Sequence, residues 1–125
     1  MVKVYINRGR NKSAKQVLEY LEYYNIRHEV LAPQNLMMQD LKHVLTLTDE
    51  GFEDIMVSRY RAQNLYNNFD FDFDELTVEE MLCLIMKHQK LLKTPIVFDE
   101  IHLSIGYNLE TLYVFRPNSK TNRTI

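Results

Sequence analysis

With 125 residues, 46% hydrophobic and 26% charged, the chain has the size and composition of one globular domain and is neither a disordered nor a collagen-like polymer. A formal charge of −2 leaves no overall basic field to hold nucleic-acid phosphates, so a direct DNA binder is disfavoured. The one cysteine, Cys83, excludes an internal disulfide, and no stretch approaches the roughly 20 apolar residues of a bilayer span; a soluble, cytoplasmic protein without a signal peptide is expected.

Val2 to Ile6 reads as a short strand. Ala14, Val17, Leu18 and Leu21 then place an apolar stripe on one helical face, with Ser13 as the expected cap, and Arg27 to Leu31 reads as a second strand. A helix joining two strands over so short a distance favours a parallel, right-handed βαβ unit. Leu36 to Leu47 is amphipathic through Met37, Leu41, Val44 and Leu45, with Asn35 as candidate cap, until Gly51 interrupts the pattern. "GFEDIMVSRYRAQNLY" holds two short helical stretches, and "TVEEMLCLIMKHQ" opens with Thr77 and Glu80 at capping-box spacing. "TPIVFDEIHLSIGYN" predicts two strands joined by a turn at Asp99-Glu100, followed by a helix from about Asn108 to Phe115.

A βαβ half, a helical middle and a ββα half with a proline opening the third strand is the order of an α/β, thioredoxin-like domain. The expected architecture is a mixed four-stranded sheet flanked by helices, in a single domain over 1–117 with a helical insertion at about 35–90. Residues 118–125 read as a loose, polar tail.

Few residue patterns carry chemistry. The three alternating aspartates of "FDFDFDE" resemble the start of a calcium loop, but Glu75 stands where that loop needs glycine and Met81 where it needs glutamate. An extended connector with Phe69, Phe71 and Phe73 packed inward is expected instead. His28, His43, His88 and His102 show no i, i+3 or i, i+4 pair, so neither a metal nor a cofactor is expected. Cys83, between Leu82 and Leu84, reads as a packed thiol, and therefore as one slow to oxidise. Arg8, Arg10, Lys12 and Lys15 form a basic cluster read as a solvated face, with at most weak contact to a DNA backbone inside a larger complex. Tyr20, Tyr23 and Tyr24 read as a rim around the core.

The segments "LTLTDEGFEDIMVSR", "LLKTPIVFDE" and "IGYNLETLYVFRP", in this order and spacing, resemble the arsenate-reductase-like (ArsC-like) proteins and, within them, the Spx regulators of Gram-positive bacteria. The resemblance implies the thioredoxin-like fold, a cis bond between Thr94 and Pro95, and binding to the C-terminal domain of the RNA polymerase α subunit. It places that contact at Thr46, Asp49, Glu50, Gly51, Phe52 and Arg59, with Thr46 standing where family regulators can carry arginine. It also exposes two departures. The turn after the first strand carries Cys-x-x-Cys in redox-sensing members, or one catalytic cysteine in the reductases; here Arg10 and Ser13 occupy those positions. The arginine expected before Pro95 is Thr94. Without a thiolate at that turn the reductase chemistry lacks its nucleophile, so no catalytic residue is expected. The resemblance thus implies a monomeric, non-enzymatic, Spx-like regulator without a redox-active cysteine pair. An arsenate-reductase-type thiol oxidoreductase and a non-regulatory protein-binding module are the alternatives.

Overall fold

A computed structural model describes residues 1–7 and 11–117. The chain divides into two compact units, one formed by residues 1–36 together with the chain from Thr94 onward, the other by Met37–Lys93.

The first unit holds strands β1 (Val2–Tyr5), β2 (His28–Leu31), β3 (Ile96–Phe98) and β4 (Leu103–Ile105) in the order β2-β1-β3-β4. β1 and β2 are parallel, while β3 runs antiparallel to both β1 and β4, which makes the sheet mixed as expected. Helix α1 (Lys12–Tyr23) links the parallel pair and buries Ala14, Val17, Tyr20 and Leu21. Val17 and Leu21 join Val4, Val97, Leu112 and Phe115 in one apolar cluster.

The ends of α1 differ from the sequence reading at one side and explain themselves at the other. Asn11, and not Ser13, is the cap: its side-chain oxygen accepts from the Ala14 N–H at 3.1 Å, leaving Ser13 inside the first turn. At the far end Asn25 takes a left-handed φ of 54°. The N–H groups of Asn25 and Ile26 then reach back to the carbonyls of Glu22 and Leu21, closing the last turn in a Schellman motif.

The hairpin turn also moves. Phe98 pairs with Leu103 and the Asp99 N–H donates to the His102 carbonyl at 3.1 Å, so the central residues are Glu100 and Ile101, one position later than expected. The reason is Asp99: its carboxylate accepts from the N–H groups of Ile101 and His102, an arrangement open only to a residue at the start of the turn. Burial pushes the Asp99 carboxyl up, but those two N–H donors and the His102 imidazole outweigh it and hold it below its usual range. Helix α6 (Leu109–Leu112), capped by Asn108, continues as a short 3-10 turn through Phe115. Arg116 follows, and its guanidinium donates to the Tyr20 hydroxyl at 2.9 Å and the Tyr24 hydroxyl at 2.8 Å.

The second unit holds α2 (Met38–Leu47), α3 (Phe52–Ile55), α4 (Gln63–Tyr66) and α5 (Val78–Lys87). The capping box of α5 is formed as predicted, with the Thr77 hydroxyl accepting from the Glu80 N–H and the Glu80 carboxylate from the Thr77 N–H. Asn35 is not the cap of α2; it lies in a 3-10 turn over Pro33–Asn35. α2 starts at Met38, and the Asp40 carboxylate accepts from the Met37 N–H at 3.0 Å. Buried side chains of α2 (Leu41, Val44) and of α5 (Met81, Leu82, Ile85) supply much of this unit's core, and the two helices pack together. Of the three phenylalanines before α5 only Phe73 is buried; Phe69 is half-buried and Phe71 exposed, because a turn at Asn67–Asn68 and bends at Phe69 and Phe71 replace the extended connector that the alternation requires.

Candidate functional site

The six positions that the resemblance points to for partner binding fall in the second unit, on the end of α2, the loop that follows, the first residue of α3 and the segment after it. Thr46 is exposed in the last turn of α2, where its hydroxyl donates to the His43 carbonyl at 2.6 Å. The loop behind it is pinned from both sides. The Thr48 hydroxyl donates to the Leu45 carbonyl at 2.7 Å and accepts from the Gly51 N–H at 3.0 Å. One Asp54 carboxylate oxygen accepts from the N–H groups of Asp49 and Glu50, at 3.1 and 2.9 Å. All backbone donors from Asp49 to Gly51 are thus satisfied by side chains, and the exposed carboxylates of Asp49 and Glu50 are held outside a fixed backbone.

Gly51 has φ 71° and ψ −137°, a conformation that side chains with a Cβ seldom adopt. A Cβ built there meets nothing within 4 Å. Glycine is therefore required by the backbone and leaves open space above it. Thr48 and Asp54, three residues before and after Gly51, were missed by the sequence reading, although Thr-x-x-Gly-x-x-Asp is a legible capping arrangement around a helix start.

Glu50, Phe52 and Arg59 share the wall of an open groove of about 860 Å³, whereas Thr46, Asp49 and Gly51 lie outside it. Arg59 donates to the Asp74 carboxylate at 2.9 Å, with its guanidinium carbon 5.4 Å from the centre of the Phe73 ring and 5.8 Å from that of Tyr66. Tyr66 in turn donates to the Val57 carbonyl at 2.7 Å. Burial raises the Tyr66 hydroxyl above its usual pKa, against a smaller opposing effect of Arg59, so it remains a neutral donor. The groove therefore has an aromatic floor, one restrained guanidinium, and acidic groups at its rim.

Of the positions that the resemblance equates with the redox site, Ser13, Thr94 and Pro95 lie in the first unit. Arg10 lies outside the described residues, as do Arg8 of the basic cluster and the tail at 118–125; Lys12 and Lys15 are exposed. The Thr94–Pro95 bond is cis, as the resemblance implies. Thr94 is occupied on both oxygens: its hydroxyl accepts from the Asn7 N–H and its carbonyl from the Asn11 side-chain amide, each at 3.1 Å. Asn11 thus caps α1 with one side-chain atom and ties the chain to Thr94 with the other. This is a structural clasp, with the polar side chain of Thr94 turned to internal partners.

Cys83 corrects the sequence reading, for it is exposed. The run Met81 to Met86 is apolar at every position, but α5 buries Met81, Leu82 and Ile85 and leaves the Cys83 side in solvent. Among the described residues no group of three or more His, Cys, Asp or Glu is placed to hold a metal ion, and no helix is long and apolar enough to cross a membrane.

The ArsC family profile matches residues 7–115. Global transcriptional regulator Spx 1 of Lactococcus lactis is 36% identical over 92 residues, spanning 74% of this chain and 69% of that protein. Global transcriptional regulator Spx 2 of Bacillus cereus is 30% identical over 109 residues, 86% of this chain and 81% of that protein. An arsenate reductase structure from Vibrio cholerae superposes with a TM-score of 0.64 at 20% identity, covering 91% of this chain and 96% of its own, a likeness of fold alone.

Proposed function

The chain belongs to the ArsC family, and on that premise we propose that it is an Spx-like transcriptional regulator that docks on the C-terminal domain of the RNA polymerase α subunit, without a redox-active cysteine pair. The relatives at 30 to 36% identity bear the names of transcriptional regulators, which supports the regulatory role and speaks for a protein that is not an enzyme. The docking surface is the corner from Thr46 to Phe52 together with Arg59.

The observation that carries this reading is the Thr48–Gly51–Asp54 arrangement. Side-chain groups satisfy the loop internally, so the backbone at Gly51 needs no partner of its own and is open to close approach. A pre-formed loop loses little conformational freedom on binding, and the two exposed carboxylates beside it favour a partner with a basic surface. The reductase alternative is weakened by chemistry: Ser13 and Arg10 replace the thiols, Thr94 replaces the arginine, and the one cysteine lies on α5 in the other unit.

Calorimetric titration with the purified polymerase domain tests the proposal. Gly51→Arg and Gly51→Ala both bear the backbone strain of a Cβ at positive φ, of order 1–3 kcal/mol, so their difference isolates the side chain. Gly51→Ala is expected to retain most of the affinity and Gly51→Arg to lose it, with matching circular dichroism. Equal affinities for the two variants would move the interface elsewhere. Thiol-dependent arsenate reduction, expected to be absent, separates the reductase reading.

A further inference from the structure

The exposed side of α5 has no role in the docking surface just described. Phe71, Leu76, Cys83 and Leu84 line a shallow, mainly apolar groove of about 330 Å³, and Glu79, Glu80 and Lys87 stand along the same face, the Glu80 carboxylate being held by the Thr77 N–H. The order of these residues is self-complementary. Glu79 precedes Cys83 by four positions and Lys87 follows it by four, which is about 6 Å along the helix axis in each direction. When two such helices lie antiparallel across a two-fold axis at Cys83, each Glu79 meets the other copy's Lys87. The two thiols then meet on the axis. Antiparallel contact also opposes the helix dipoles favourably.

We infer that this face pairs with a second copy of the chain, and that the pair is closed by a disulfide between the two Cys83 side chains when a peroxide is present. The inference does not depend on the polymerase reading. Geometry permits the bond: helices packed about 8–10 Å apart, each with Cα atoms about 2.3 Å from its axis, bring facing Cα atoms to roughly 3.4–5.4 Å, which overlaps the Cα separations that disulfides span. A small residue at the crossing point is needed for that approach, and Cys83 is the small one on this face.

The chemistry balances with the peroxide as oxidant. One Cys83 thiolate attacks a peroxide oxygen, the O–O bond breaks, and a sulfenic acid forms with release of water. The second copy's thiolate then displaces hydroxide from that sulfur, forming the S–S bond and a second water. Two thiols lose two electrons and two protons in all. A ten-residue helix is only about 15 Å long, too short a contact to reach the roughly 800 Å² per partner of a stable interface. Without the bond this face pairs only transiently, and covalent closure makes the dimer persist. Glu79 already lies 3.5 Å from Lys42, an exposed pair that has to be shared or released.

Time-resolved non-reducing electrophoresis and light scattering on the full chain provide the test. Wild type is expected to be monomeric with dithiothreitol and to become a disulfide-linked dimer with stoichiometric hydrogen peroxide, while Cys83→Ser stays monomeric. Lys87→Glu and Glu79→Lys, each placing like charges opposite one another, should close roughly tenfold more slowly at low salt. Mixing these two variants should restore the wild-type rate as a heterodimer, and Lys15→Glu, an equal charge change on α1, should leave the rate unaltered. A wild type that stays monomeric under peroxide, variants that close at the wild-type rate, equal slowing by Lys15→Glu, or no rescue on mixing despite native circular dichroism would each overturn the inference.

Discussion

The Thr94 clasp and the Gly51 corner use the same device for opposite ends. In both, a threonine and an acidic or amide side chain satisfy the backbone of a loop beside a helix start. At Thr94 the side-chain groups face other parts of the same chain, Asn7 and Asn11, and the site's polar capacity is consumed internally. At Gly51 the bonds come from Thr48 and Asp54 within the loop's own neighbourhood, and the carboxylates of Asp49 and Glu50 remain exposed. A loop whose bonding is closed locally can present its surface to a partner; one closed against distant segments holds the fold. On the proposed function, the first region serves stability and the second serves binding.

Thr94→Val should break the first side of this contrast with the largest effect on stability. It keeps the shape but removes the acceptor for the partly buried Asn7 N–H, at a cost of about 1–3 kcal/mol in chemical denaturation. Affinity for the polymerase domain should not change; an affinity loss with unaltered stability would reverse the assignment of the two regions. Glu50→Lys sharpens the second side. It should lower that affinity about tenfold at low salt, an effect of about 1.4 kcal/mol, and leave the denaturation midpoint close to wild type, since the side chain is exposed and its backbone N–H keeps Asp54. Unaltered affinity would remove Glu50 from the interface.

The smallest effect is expected from the hairpin turn, a third loop closed by a carboxylate. The Asp99 carboxyl is held below its usual range in the folded chain, so its ionised form favours folding. That contribution is present above the unfolded value of about 3.9 and is lost as pH falls through the lower folded value. The stability gap between wild type and Asp99→Ala should therefore shrink on acidification below about pH 4. A gap that widens in acid would mean that the protonated form is the better partner in the turn.

Local signals were legible where the partners are close in sequence. The Thr77–Glu80 box, the apolar stripe of α1, the parallel βαβ unit and the hairpin pairing all follow from spacings within a few residues, or from the short reach of one helix between two strands. The position of Gly51 and the acidic residues beside it were likewise visible, although their pinning by Thr48 and Asp54 was not recognised.

What the tertiary structure decided is whatever depends on a partner far along the chain. Asn11 and Ser13 are both acceptable caps by residue type, and the choice falls to Asn11, whose amide also reaches the carbonyl of Thr94, 83 positions away. The face of α5 could not be read from "MLCLIM", because an unbroken apolar run has no polar side to mark solvent; packing against α2 buries Met81, Leu82 and Ile85 and thereby exposes Cys83. Sequence alone determined that the chain has one thiol and which residues flank it. Only the packing of a neighbouring helix, which withdraws one side of α5 from water and leaves the other in it, determined that the thiol is exposed.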